Sequence, residues 1–217
     1  MKISQGLAEA LTPALTGLAL ACLVVGCSKP NHPEVLTFDA AEVTSRAMAQ
    51  LDSNQDGQLD KDELKQQSPG LYKSRKLVDA NRDGSLGKDE LQRRLQTYID
   101  EQLAIVPQPI SIRSGGRPLA GATVELVPEE FMAEIVEPAT GETDGEGIAY
   151  PSIELDEEIT KWGSGGFRSG VYRVKVSKKN AAGEETIPKK YNVETILGIE
   201  VKMEEHFRMI VLNLSGS

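Results

Sequence analysis

Two twelve-residue segments, Asp52 to Glu63 and Asp79 to Glu90, constrain this 217-residue chain more than any other feature. Each carries an acid at positions 1, 5 and 12, an asparagine at position 3 and a glycine at position 6. A hard divalent cation such as Ca²⁺ needs about six to eight oxygen donors on a sharply bent backbone, which is what this pattern supplies. In the first segment Asp52, Asn54 and Asp56 offer side-chain oxygens and Gln58 its carbonyl. Asp60 offers a direct or water-mediated contact and Glu63 a bidentate carboxylate. In the second the same roles fall to Asp79, Asn81, Asp83, the carbonyl of Ser85 and Glu90, with Gly87 leaving position 9 to water. Asp, Asn and Gly also crowd ordinary turns. The full pattern, however, arises by chance on the order of once per few hundred thousand start points, and here it occurs twice.

Both segments resemble the EF-hand calcium loop, which implies two Ca²⁺ sites. The apolar position 8 recurs as Leu59 and Leu86, predicting that the loops pair back to back through a short antiparallel bridge. The flanks read as helices. Asp39 with Glu42 three residues on makes a capping-box-like start, and Val43, Ala47 and Leu51 follow at helical spacing. After the second loop Leu91, Leu95, Ile99 and Leu103 recur every four residues, predicting an amphipathic exit helix. Only residues 64 to 78 separate the loops, and Ser68-Pro69-Gly70 interrupts them, so the middle helices are expected to be stubs of one or two turns. Stubs argue against a large opening motion and for a structural or low-affinity calcium site.

The N-terminus carries an apolar run from Leu11 to Val25, shorter than the roughly 20 residues a spanning helix needs and suited to a signal-peptide core. It ends Val24-Val25-Gly26-Cys27, which resembles the bacterial lipobox. The resemblance implies cleavage after Gly26, lipidation of Cys27 and, with Ser28 next, an outer-membrane lipoprotein. Residues 1–26 are then a signal peptide and 27–36, with Pro30 and Pro33, an extended tether. Cys22 and Cys27 are the only cysteines, so the folded part is expected to contain no disulfide.

From about Pro107 the apolar period changes from 3.6 to 2, with Gly and Pro punctuation, predicting an all-β sandwich of about seven strands. Residues 110–113 and 122–126 are expected to form a hairpin across Ser114-Gly-Gly-Arg-Pro118. Tyr172, Val174 and Val176 alternate with Arg173 and Lys175, and a last strand is expected near residues 207–214. Arg117-Pro-Leu-Ala-Gly-Ala-Thr-Val124, Thr143-Asp-Gly-Glu-Gly147 and Ser169-Gly-Val-Tyr-Arg-Val174 resemble landmarks of carboxypeptidase-regulatory-like and transthyretin-like domains. Ile187-Pro-Lys-Lys-Tyr191 through Val201 resembles their closing part. This implies a prealbumin-like sandwich over about 110 residues and no catalytic residues.

A net charge of −9 argues against a nucleic-acid partner, since phosphate neutralisation needs clustered Lys and Arg in excess. An enzyme is not expected. The only histidines are His32 and His206, and adjacent acids such as Glu129-Glu130 and Asp156-Glu157-Glu158 read as solvated loops. Trp162-Gly-Ser-Gly-Gly-Phe167 reads either as a plug at one end of the sandwich or as an exposed stacking surface. The expected architecture is therefore α+β and multidomain, with a small all-α EF-hand pair at 37–104 and a β-sandwich at 107–215. The expected role is a calcium-binding, lipid-anchored cell-envelope protein that binds or scaffolds an envelope protein or polysaccharide. The alternatives are a Ca²⁺-dependent carbohydrate-binding protein using the Trp162 loop, or an accessory subunit of an envelope transporter or protease.

Overall fold

The computed structural model describes residues 37–154, 165–203 and 208–215, which fall in one compact unit. The signal peptide, Cys27, the tether, Asp156-Glu157-Glu158, Trp162 and His206 lie outside the described residues. Helix α1 (Ala40–Leu51) starts at Asp39, whose carboxylate accepts from the N–H groups of Ala41 and Glu42. That satisfies two of the donors a helix start leaves unpaired. The stripe Val43, Ala47 and Leu51 is buried, as its spacing predicts. The first loop follows, then β1 (Gln58–Leu59), α2 (Lys61–Gln67) and α3 (Pro69–Val78). The second loop leads into β2 (Leu86–Gly87) and α4 (Lys88–Asp100). Strands β1 and β2 pair antiparallel with Leu59 opposite Leu86, both buried, which is the expected bridge between the loops.

Two helix expectations are corrected. Helix α3 spans 10 residues, nearly three turns rather than a stub. Pro69 sits in its first turn, where a missing N–H costs nothing, so the proline starts this helix instead of breaking it. Helix α4 stops at Asp100, because Gln102 and Leu103 take φ of 57° and 47° and turn the chain back. Tyr98 is fully buried on α4 while Ile99 is only partly covered, and Leu103 reaches the core from beyond the helix end.

The remaining strands are β3 (Ile105–Val106), β4 (Ile110–Ser114), β5 (Arg117–Pro118), β6 (Thr123–Pro128), β7 (Ala139–Glu142) and β8 (Ile148–Ala149). They continue with β9 (Phe167–Arg168), β10 (Gly170–Ser177), β11 (Gly198–Val201) and β12 (Ile210–Leu214). One sheet has the order β11-β10-β6-β7, a second has β12-β4-β5 with β8 also on β4, and β3 pairs with β9. The architecture is mixed α+β, and both sheets bury their alternate residues in one apolar cluster shared with the helices. The expected hairpin is corrected: β4 turns back onto β5, while residues 123–128 cross to the other sheet between β10 and β7. A turn spanning only Gly115 and Gly116, both at positive φ, closes the β4–β5 hairpin and leaves β6 free to cross. Strand β12 lies parallel to β4, from Ile210 beside Ile110 to Leu214 beside Ser114.

The helical and β parts meet without a side chain between them at one point. A Cβ placed on Gly198 would stand 2.2 Å from the Gly70 nitrogen and 2.3 Å from the Pro69 carbonyl carbon. Here the first turn of α3 lies backbone against backbone on β11. Around that contact sit two ion pairs. Arg94 of α4 donates from Nε and Nη2 to the two carboxylate oxygens of Glu200 on β11, at 2.5 and 2.7 Å, and the Tyr98 hydroxyl donates to the same carboxylate. Arg173 Nε lies 3.0 Å from Glu129, and its guanidinium also donates to the carbonyl of Gln67.

Glu129 is 2% exposed and so is not the solvated acid its Glu-Glu context suggested; Glu130 beside it is exposed. Burial raises the Glu129 carboxyl above its ordinary 4.5, outweighing the opposing pull of Arg173 and of the Gly70 N–H. A carboxyl whose folded pKa is raised binds its proton more tightly when folded. Its contribution is therefore fully present below about 4.5 and is lost as pH rises through the folded value. Melting temperature is expected to fall over that window more steeply in the wild type than in Glu129→Gln. Parallel curves for the two proteins would show that this carboxyl does not titrate as its burial demands.

Candidate metal centre

The two loops share most of their hydrogen bonds, position for position. In each, the position-12 glutamate folds back over its own loop. Glu63 accepts from the N–H groups of Ser53 at 2.8 Å, Asn54 at 3.3 Å and Asp60 at 3.0 Å. Glu90 accepts from Ala80 at 2.9 Å, Asn81 at 3.1 Å and Gly87 at 3.0 Å. These are positions 2, 3 and 9 in both. The position-1 acid holds the glycine turn, with Asp52 accepting from Gly57 at 2.9 Å and Asp79 from Gly84 at 3.0 Å. Asn54 and Asn81 each accept from the N–H two residues on, at 2.8 Å in both loops. Asp56 and Asp83 do the same toward Gln58 and Ser85, at 2.9 Å. Asp60 has a second duty as the N-cap of α2, accepting from Asp62 and Glu63. All eleven residues expected from the sequence as ligands are thus brought into two compact bends.

Gly57 and Gly84 take φ of 82° and 96°, the left-handed region where a glycine carries no steric cost. Position 4 is equally left-handed, at Gln55 (59°) and Arg82 (63°), although neither is glycine or asparagine. Nothing in the sequence marks those two residues. A non-glycine there costs about 1 kcal/mol, and the loop geometry imposes it twice.

One oxygen is left over. Asp79 Oδ1 is buried without a hydrogen-bond partner, while Oδ2 of the same carboxylate is satisfied by Gly84. An unpartnered buried carboxylate oxygen is costly unless a cation meets it. Among the described residues no three His, Cys, Asp or Glu side chains are drawn together into a ready metal group, because both glutamates rest on backbone N–H groups. The donor set is nonetheless all oxygen, bent around paired loops, and fits Ca²⁺ rather than a softer metal.

Comparison with known proteins agrees with this geometry. The EF-hand family model, described as EF hand, matches residues 46–66 and 76–95. The chain therefore carries an EF-hand domain of two motifs, a class of calcium-binding fold. The match leaves the β part untouched, and no curated protein or solved structure gave a match. No helix among the described residues is long and apolar enough to cross a membrane.

The two sites differ in charge. The first gathers four carboxylates, Asp52, Asp56, Asp60 and Glu63, and the second three, Asp79, Asp83 and Glu90. One further negative charge about 4 Å from a divalent ion adds about 2 kcal/mol under water-like screening, or roughly thirtyfold in affinity. Calorimetry is expected to show that Glu63→Gln removes the tighter of two binding steps and Glu90→Gln the weaker. The reverse order would mean that desolvation, not charge count, sets the ranking.

Proposed function

We propose that this protein is an exported, lipid-anchored calcium-binding protein of the cell envelope, serving as a binding or scaffolding module rather than an enzyme. The observation that carries the calcium reading is the twice-repeated loop with its unpartnered Asp79 oxygen. Asp52, Asn54, Asp56, the Gln58 carbonyl, Asp60 and Glu63 would hold one ion. Asp79, Asn81, Asp83, the Ser85 carbonyl and Glu90 would hold the other. When bound, each ion supplies charge neutralisation that lets clustered carboxylates and strained backbone persist. Residues 1–26 then serve as signal peptide and 27–36 as tether, with Cys27 lipidated. Residues 37–104 form the calcium unit and 107–215 a transthyretin-like β unit.

Support for the β reading comes from two sheets around one core and from the turn landmarks. Thr143 Oγ1 accepts from Ala122 at 2.8 Å and donates to Leu119 at 2.6 Å. A Cβ on Gly147 would stand 2.7 Å from the Ile112 carbonyl. Support for the anchor is the lipobox resemblance alone, and labelling of the expressed protein with a palmitate analogue, abolished by Cys27→Ser, tests it.

Outside a cell calcium is near millimolar. A site with Kd about 0.1 mM then contributes RT ln 11, about 1.4 kcal/mol. Two such sites raise the melting temperature by roughly 10 °C for a unit of this size. Thermal melting of the mature protein in calcium and in EGTA is expected to differ by that order. Coincident curves, with no ion retained in native mass spectrometry at millimolar calcium, would remove the calcium reading.

A further inference from the structure

A cleft of about 710 Å³ opens between α2, α3, β10 and the segment 193–196. Its charge runs against the rest of the molecule. Lys65 of α2, Lys73 of α3, and Arg173 and Lys175 of β10 line it, opposed only by Asp62 and Glu194, in a chain of net charge −9. Arg173 is held by Glu129 and Lys175 lies 3.8 Å from Glu125. The side chains of Lys65 and Lys73 enter none of the ion pairs or hydrogen bonds among the described residues. Four cations against two carboxylates leave the lining net positive, an imbalance that an incoming anion relieves.

The remainder of the wall selects among anions. Val193 and Ile196, 70% and 56% exposed, stand at the rim as aliphatic contacts. The Arg75 guanidinium stands 4.2 Å over the ring of Tyr72, the aromatic in the cleft, and takes one of its faces away from stacking on a sugar. Arg173 and Lys175 are two apart on one strand, so they share a face about 6 to 7 Å from each other. An extended polypeptide presents its own alternate side chains at the same interval.

From this we infer that the cleft is a docking site for an acidic, extended peptide segment of a partner protein. Carboxylates at alternate positions meet the basic wall, and intervening aliphatic side chains cover Val193 and Ile196. The volume lies within the range of ligand-binding clefts, about 300–1,000 Å³. This deepens the binding-module reading by naming the partner's chemistry, and it uses none of the calcium ligands.

The test is fluorescence anisotropy of a labelled twelve-residue peptide of Glu, Asp and Leu, net charge −6, titrated with the mature protein in millimolar calcium. Calcium stoichiometry is read on the same samples by native mass spectrometry, so that failure of the cleft and failure of the calcium sites appear separately. The expected result is saturable binding that weakens with added salt and falls at least tenfold in the Lys65→Glu/Lys73→Glu variant with both ions retained. Both lysines are exposed, and an unchanged melting temperature checks that the variant folds. No binding at millimolar protein, or equal binding by the variant, overturns the proposal. Polygalacturonate competing more strongly than unlabelled peptide also overturns it, in favour of an acidic polysaccharide.

Discussion

Gly198→Ala is expected to cost about 3 kcal/mol or more, a large share of the roughly 5–15 kcal/mol by which a folded protein is stable. The added methyl meets backbone, the Gly70 nitrogen and the Pro69 carbonyl carbon, both within 2.3 Å. Backbone atoms have no rotamer to change, so α3 must lift away from β11. Gly70→Ala offers the control. Its Cβ would press chiefly on Val171 Cγ1, 2.4 Å away, with the nearest backbone atom the Ile199 carbonyl oxygen at 3.0 Å. A valine can rotate, and alanine is the better helix former by about 1 kcal/mol. Gly70→Ala is therefore expected to be the milder of the two. Urea denaturation of both variants measures the difference. A Gly198→Ala protein as stable as the wild type would show that the helix and strand are not in backbone contact.

Arg94→Met is expected to cost about 3 kcal/mol, because it abandons Glu200 in the core. The Glu200 side chain is 5% exposed and that of Arg94 12%. Burial, together with the neighbouring Glu200, pushes the Tyr98 hydroxyl well above its usual range, so Tyr98 remains a donor and cannot replace the lost cation. The double variant Arg94→Met/Glu200→Leu removes both charges and is expected to recover most of the loss, as buried pairs often do when replaced whole. Denaturant midpoints for the wild type, the two single variants and the double variant complete the cycle. A single variant costing less than about 0.5 kcal/mol would mean that water reaches Glu200. Arg94 is four residues beyond Glu90, on the helix that leaves the second loop. The same substitution therefore loosens the attachment of the calcium motif to the sheet.

The two bends were legible in the sequence because they are local: twelve consecutive residues supply the glycine turn and the side chains that fold back over it. The α1 stripe and the alternation along β10 were legible for the same reason, since periodicity is a property of neighbouring residues. Long-range features were not. Pro69-Gly70 reads as a break until β11 is present to receive it, and Glu129 reads as solvent-facing until Arg173 arrives from 44 residues away. The crossing of β6 to the other sheet depends on which edges are free, and no local pattern encodes that. Position 4 of each loop stayed hidden because Gln55 and Arg82 are ordinary residues held in an unusual conformation by their neighbours.

The pairing of β12 with β4 joins positions about a hundred residues apart, Ile210 beside Ile110. Closing such a wide loop is entropically costly and slow. Strand β4 stands between β5 and β12, so one of its edges stays open until residues 210–214 are in place. Until then that edge of β4 is a row of unpaired N–H and C=O groups on which a strand from another copy could add, so the last strand also guards the sheet against aggregation.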